Sequence, residues 1–240
     1  MLQRLRALNP GRSLAAILYY HTCQAITFTL LVLIFRLRVW NRQRVPASGP
    51  LLVVLNHQSH LDPVVAGAAV RPRQLNFMAR STLFKGPFAI LIRSLNAVTL
   101  KQGAPDTAAI RAAIEQLQAG RCVLIFPEGT RTGDGAIHPF KRGAWVLMSR
   151  AGCPVLPVAI EGCFDAWPRG TPKPKLWRQR IMTMVGQPIS PEALKAMGPE
   201  KGLRHLADVI EAMRLELVEK LARDGHRVTT LPISDVEEPD

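Results

Sequence analysis

An uncharged run near the N-terminus constrains the fold of this chain more than any other feature. Residues 14–35 contain no Asp, Glu, Lys or Arg. As one helix they would be about 33 Å long, enough to cross a bilayer core of about 30 Å. Basic residues flank the run on both sides, so they give no clear orientation across a membrane; they are Arg4, Arg6, Arg12, Arg36, Arg38, Arg42 and Arg44.

Polar residues occupy the middle of this run, at positions 21–24 (His-Thr-Cys-Gln). We therefore expect two short helices that lie in or dip into one leaflet, with the arginines at the headgroups. A cleaved signal peptide is disfavoured, because Arg36 and Arg38 stand where small residues would be required. A single spanning helix and an ordinary buried core helix remain the alternatives.

The charge of the chain is strongly basic and unevenly distributed. The net charge is +13 in 240 residues, and residues 1–61 hold seven arginines and no acid, whereas residues 191–240 are net acidic. Such a field attracts nucleic acid, an anionic membrane or phosphorylated substrates. An aromatic content of 6% and the lack of zinc-finger or RNA-binding spacings disfavour nucleic acid. The four cysteines form no C-x-x-C pair, which favours a reducing compartment.

Apolar runs and amphipathic stripes alternate along the rest of the chain. Strands are predicted at residues 50–56, 74–79, 97–100, 121–126, 155–160 and 181–185. Helices are predicted at residues 62–70, 88–95, 106–119, 143–151 and 202–222. This alternation predicts an α/β fold, with a mostly parallel sheet flanked by helices on both faces and an N-terminal membrane-associated helical segment.

The domain organisation follows from these patterns. We expect membrane-anchoring helices in residues 1–44, one main domain in residues 45–227 and a loosely held acidic tail in residues 228–240, with residues 36–49 read as a linker. The net acidic last fifty residues, 191–240, are expected to lie away from the membrane.

Two polar loops follow predicted strands, where open α/β sheets bind their ligands. In the first, Asp62 can accept a hydrogen bond from one imidazole nitrogen of His57 and leave the other as a base. Asp62 could instead be an ordinary helix N-cap, and His57 a hydrogen-bonded loop histidine. A metal site on His57 and His60 is weaker because no third ligand is evident. Ser59 as a nucleophile is weaker still.

The second loop, residues 126–132, has the composition of an anion site. Gly129 allows close approach of the backbone, Thr130 offers a hydroxyl, and Arg131 can hold a phosphate in a bidentate fork. Lys141 and Arg142 add cations before a predicted helix N-terminus, although a solvated turn with surface cations explains the same composition. For Glu128 three readings stay open: it orients Arg131, accepts from a substrate hydroxyl or braces the loop.

Taken together, the His57-x-x-x-x-Asp62 pair and the Phe-Pro-Glu-Gly-Thr-Arg sequence about seventy residues later resemble the glycerolipid acyltransferase family, in particular its bacterial 1-acylglycerol-3-phosphate acyltransferases. Residues 140–144 and 155–160 are similar to two further blocks of that family. The resemblance covers roughly residues 45–190. It differs in the second block, which ends in Lys101 where the family has a substrate-binding Arg.

The resemblance implies transfer of a fatty acyl group from acyl-CoA or acyl-carrier protein to the free hydroxyl of a lysolipid, most simply 1-acylglycerol-3-phosphate. His57 would be the general base and Asp62 its orienting partner. The substrate-binding residues would be Lys101, Glu128, Gly129, Thr130, Arg131 and Lys141. No metal or other cofactor is implied, and the expected location is the cytoplasmic face of the inner membrane.

Other functions also remain open from the sequence alone. Lys101 lacks a bidentate fork, so another lyso-phospholipid or a lyso-aminolipid is a possible acceptor. A non-catalytic protein that binds anionic lipid or nucleic acid is the alternative from a different functional class. The sequence does not indicate the acyl-chain length, the donor type or the oligomeric state.

Overall fold

The computed structural model describes Arg6 and residues 9–80, 94–100, 106–229 and 231–234. Within it, the uncharged run forms one uninterrupted helix, α1 (Leu14–Phe35), which begins where the Ser13 hydroxyl accepts a hydrogen bond from the Ala16 amide. The expectation of two short helices in this run is therefore wrong. By length and composition, α1 is the one described helix that could cross a membrane.

One side of α1 packs against the rest of the protein. The Gln24 side chain donates to the carbonyls of Gly67 and Arg73 at 2.8 and 3.2 Å, and the Tyr20 hydroxyl accepts from the Leu75 amide. Gln24, from the polar cluster in the middle of the run, thus faces the protein rather than lipid. The opposite side exposes large apolar side chains: Leu18, Tyr19, Ile26, Leu30, Val32 and Leu33.

The described residues form a seven-stranded sheet in the order β1-β7-β6-β2-β5-β3-β4. All neighbouring strands are parallel except β6 and β7, which are antiparallel. The predicted mostly parallel sheet is confirmed. Its strands are β1 (Arg38–Trp40), β2 (Leu51–Leu55), β3 (Leu75–Arg80), β4 (Ala97–Leu100), β5 (Cys122–Ile125), β6 (Val155–Glu161) and β7 (Met182–Val185).

Helices cover both faces of this sheet, as predicted. Strand β2 shows why its sequence is continuously apolar: Leu51, Val53 and Leu55 pack on one face and Leu52 and Val54 on the other, all fully buried. The first face is covered by α1, α2 (Asp62–Ala69) and α5 (Cys163–Ala166). The second is covered by α3 (Asp106–Gln118), α4 (Arg142–Ala151), α6 (Pro191–Met197) and α7 (Pro199–Arg223).

Two segments expected to be irregular are held in the fold. Residues 36–49 are not only a linker, because β1 pairs with β7 at the sheet edge and a 3₁₀ turn follows at Arg42–Arg44. The beginning of the predicted loose tail is pinned: Thr229 binds the Asp165 carboxylate through its amide and hydroxyl, and the Ser234 amide donates to the Ile137 carbonyl at 2.8 Å. The helix predicted at residues 88–95 falls largely outside the described residues.

Candidate active site

The two polar loops meet at one edge of the sheet. Strands β2 and β5 are parallel neighbours, so the chain leaves both at their carboxyl ends on the same side. The Asn56 side chain ends the pairing of β2 by exchanging two hydrogen bonds with the main chain of Ile160, at 2.9 and 3.0 Å. The Thr132 amide then donates to the His57 carbonyl at 2.8 Å and ties the two loops together.

His57 and Asp62 form the predicted hydrogen bond, with 2.8 Å between Nδ1 and Oδ2. Asp62 is fully buried, and the same Oδ2 atom accepts from the main-chain amides of Gln58 and Ser59 at 2.6 and 2.7 Å. Because Oδ2 is an acceptor in all three bonds, Nδ1 carries the hydrogen, and in a neutral imidazole the lone pair is then on Nε2. Asp62 is the first residue of α2 and does not cap it.

The ring of Phe126 fixes the plane of the His57 imidazole. The two rings stack at a centroid distance of 3.7 Å and an interplanar angle of 14°. The His57 side chain remains 17% exposed, whereas Asp62 has no exposure. A buried carboxylate that orients a partly exposed imidazole is the arrangement that general-base catalysis requires.

Glu128 braces this loop from the β5 side. One of its carboxyl oxygens accepts from the His57 amide at 2.7 Å and the other from the His138 amide at 3.1 Å. Its side chain is almost completely buried, and this burial raises the pKa of Glu128 to about 8, although both amide hydrogen bonds oppose the shift. Of the three readings open for Glu128, the geometry favours the brace over contact with a substrate.

Gly129 and Lys141 lie side by side. Gly129 has a φ of +78°, and a Cβ at this position would meet Cδ of Lys141 at 3.0 Å. Lys141 immediately precedes α4, and its amide donates to the Pro127 carbonyl at 2.8 Å. The structure thus brings together two of the predicted anion-binding residues, the cation Lys141 and the exposed turn residue Gly129.

Arg131 points toward the first loop. Its guanidinium contacts Nε2 of His60, and burial together with this neighbouring cation lowers the pKa of His60. His60 is therefore favoured as a neutral partner of Arg131. Thr130, the residue before Arg131, is half-buried. Lys101 lies outside the described residues, as do residues 84–91, a candidate wall for the acyl chain.

A buried polar network supports the loop from the β6 side, and sequence reasoning missed it. The Gln58 side chain donates to Oε1 of Glu161 at 3.3 Å, and Arg214 donates to Oε2 of Glu161 at 2.9 Å. Arg214 also forms two hydrogen bonds with the Glu211 carboxylate, at 2.7 and 2.9 Å. The sequence did contain a signal for this network. Arg214 lies on the apolar stripe of α7, four residues after the buried Ile210 and three before the buried Leu217.

Comparisons with known proteins indicate the family of this chain. A family model described as acyltransferase matches residues 36–161. The chain is 24% identical over 203 residues to the 1-acyl-sn-glycerol-3-phosphate acyltransferase of Bacillus subtilis (strain 168), covering 84% of this chain and 98% of that protein. It is 27% identical over 193 residues to the 1-acyl-sn-glycerol-3-phosphate acyltransferase alpha of Bos taurus, covering 79% of this chain and 65% of that protein.

A solved structure is also similar along most of its length. The crystal structure of the 1-acyl-sn-glycerophosphate (LPA) acyltransferase from Thermotoga maritima superposes with a TM-score of 0.72 at 29% identity, covering 84% of this chain and 79% of that one. The family model spans more than half of the present chain and includes both His57 and Glu128. The resemblance predicted from the two loops is therefore confirmed, and this chain belongs to the acyltransferase family.

Proposed function

We propose that this protein transfers a fatty acyl group from a thioester donor to the free hydroxyl of 1-acylglycerol-3-phosphate, giving phosphatidic acid. The observation that carries the proposal is the hydrogen bond between His57 and a fully buried Asp62 at the carboxyl end of β2. The names of the Bacillus subtilis, Bos taurus and Thermotoga maritima relatives support the same reaction.

The chemistry follows from the orientation of the imidazole. Nε2 of His57 takes the proton of the acceptor hydroxyl as its oxygen attacks the thioester carbonyl carbon, and Asp62 stabilises the imidazolium that forms. The tetrahedral intermediate then breaks its carbon–sulfur bond. The departing thiolate receives the proton from His57, so the imidazole returns to its neutral form. These steps use only groups of the protein and its two substrates.

Cations around the dyad account for recognition of a phosphorylated acceptor. Arg131 lies on the second loop next to His60, and Lys141 lies against Gly129 at the start of α4. We assign the acceptor phosphate to Arg131, Lys141 and Lys101, with Gly129 and Thr130 supplying close backbone approach and a hydroxyl. The donor is either acyl-CoA or acyl-carrier protein.

Membrane association fits the exposed apolar side of α1, and the cytoplasmic face is the side we propose. The hydrogen bonds of Gln24 and Tyr20 hold α1 along the catalytic domain. A helix held in this way favours lying in one leaflet over spanning the bilayer. The lysolipid acceptor would then reach His57 from that leaflet.

The decisive experiment is acyl transfer by purified full-length protein to a panel of lysolipids, with both donor types. His57→Ala should lower kcat by about 10²–10⁴-fold, the contribution of a general base. His205→Ala, at an exposed position on α7, is the matched control and should retain activity. If His57→Ala transferred acyl groups as fast as the wild type, the mechanism would be wrong. If a lysolipid without a phosphomonoester were the best acceptor, the assigned substrate would be wrong.

A further inference from the structure

A loop between α5 and β7 combines strong positive charge with an exposed aromatic tip. This tryptophan loop, residues 168–180, contains five cations and no acid. Trp177 is 69% exposed and the adjacent Leu176 is 44% exposed. Trp177 also has a φ of +68°, a left-handed conformation that is uncommon for a bulky residue. Four of the five cations in the loop are exposed: Arg169, Lys173, Lys175 and Arg178.

Internal hydrogen bonds give the loop a defined shape. The Trp167 indole N–H donates to the Thr171 carbonyl at 3.0 Å, and the Thr171 hydroxyl donates to the Pro168 carbonyl at 2.9 Å. The Lys175 amide donates to the Ala166 carbonyl at 2.8 Å and so returns the chain to the end of α5. The exposed tip at Trp177 is therefore presented by an ordered segment.

The two ends of the loop connect different parts of the molecule. Before the loop, the Trp167 carbonyl accepts from the Ser59 hydroxyl at 2.8 Å, beside the catalytic pair. After it, the Ile181 amide donates to the carbonyl of Phe35, the last residue of α1, at 3.0 Å. The loop thus runs from the active-site edge to the end of the apolar helix.

We propose that the tryptophan loop docks on the surface of an anionic bilayer, as a second membrane contact beside the active site. Trp177 and Leu176 would enter the headgroup region, where an amphipathic indole ring is favourable. The four exposed cations would meet lipid phosphates. The exposed apolar side chains of Trp177 and Leu176 and the continuity with α1 favour this occupant over an acidic carrier protein or a second copy of the chain. The inference rests on the proposed function, because it places the site where a membrane-borne acceptor enters.

Fluorescence quenching tests the contact directly. Full-length wild-type protein and Trp177→Phe are mixed with vesicles of phosphatidylcholine and phosphatidylglycerol that carry bromine at a shallow acyl position. The difference in emission between the wild type and Trp177→Phe is the emission of Trp177. Quenching of this difference by the bromine reports that the Trp177 side chain is in the bilayer. We expect Trp177 to be quenched by these vesicles. Emission of Trp177 that bromine leaves unquenched would overturn the proposal.

Activity separates this contact from the catalytic proposal. Trp177→Ser and the double variant Lys173→Ser/Lys175→Ser should bind the anionic vesicles more weakly, by about thirtyfold for the double variant. They should lose activity on vesicle-borne acceptor but retain it on a short-chain acceptor that is monomeric in water. The matched controls are Leu215→Ser and Lys195→Ser/Lys201→Ser, which replace exposed residues of α6 and α7 on the opposite face of the sheet. Their vesicle binding and their activity should equal those of the wild type.

Other outcomes contradict the proposal in distinguishable ways. Loss of the short-chain activity in the loop variants would mean that the loop serves catalysis itself. A defect seen with acyl-carrier protein but not with acyl-CoA on the same vesicles would assign the loop to the carrier protein. A change in sedimentation without a change in vesicle binding would assign it to self-association. Loss of activity in His57→Ala alone leaves the membrane contact intact and bears only on the mechanism.

Discussion

Two buried glutamates flank the His57 loop from opposite sides and are stabilised in different ways. Glu128 follows β5 and Glu161 ends β6, the two strands that neighbour β2. Both are almost completely buried, and burial raises the pKa of both carboxyls. Glu161 has the guanidinium of Arg214 at 2.9 Å to oppose that shift, whereas the hydrogen bonds described for Glu128 come from two main-chain amides.

The two glutamates therefore differ in how their buried charge is compensated. On the β6 side, the Arg214 guanidinium compensates the buried charge of Glu161, which also accepts a hydrogen bond from the Gln58 side chain. On the β5 side, two amide hydrogen bonds and the nearby His138 only partly offset the burial of Glu128, and its pKa is raised to about 8. The His57 loop is therefore braced by one carboxyl paired with a buried guanidinium and by another, Glu128, whose pKa is raised to about 8.

The largest effect is expected from breaking the compensated side. Arg214→Met leaves Glu161 and Glu211 buried without their cation, and removing one partner of a buried pair costs about 3–5 kcal/mol. The free energy of unfolding, measured by urea denaturation, should fall by that amount. Arg223→Met removes an exposed pair with Glu219 and should cost less than about 1 kcal/mol. Equal losses of unfolding free energy in the two variants would mean that Arg214 does not compensate the buried charge of Glu161.

An intermediate effect is expected from Glu128→Gln. The amide side chain can accept from only one of the two backbone amides and presents an N–H group to the other, which costs about 1–3 kcal/mol for a buried donor. Because one of those amides belongs to His57, kcat should fall while KM changes little. The measurement is steady-state kinetics together with urea denaturation. Glu115→Gln, at an exposed position on α3, is the control. A loss of stability with unchanged kcat would make Glu128 a structural residue only.

The smallest effect, when it is counted per pH unit, is the change of the unfolding free energy with pH, at most about 1.4 kcal/mol per unit for one proton. Burial raises the pKa of Glu128 from its ordinary 4.5 to about 8, so between these values the folded state binds more protons than the unfolded state. Its contribution to stability is present below about pH 4.5 and is lost as the pH rises through about 8. Glu128→Gln should flatten the decline of the unfolding free energy with pH in this window. An unchanged slope would show that Glu128 titrates elsewhere.

Residues close together in sequence were the ones that sequence reasoning placed correctly. His57 and Asp62 are five residues apart, and a single tight turn determines whether they meet. The apolar run of β2 and the stripe of α7 also reflect local periodicity. By contrast, Gln58, Glu161 and Arg214 are separated by 103 and 53 residues. Nothing in their local sequences shows that they share a partner, although Arg214 on an apolar stripe indicated that one exists.

The sequence by itself determined the α/β class, the two loops at strand ends, the His57–Asp62 pair and the family. These features depend on periodicity and on short spacings, which act within a few residues. Only the tertiary structure decided that residues 14–35 form one helix, that β7 and β1 run against the other strands, and that Arg214 compensates Glu161 but not Glu128. Those outcomes depend on which distant segments share a buried environment, because burial makes the partner of a charged or polar group decisive.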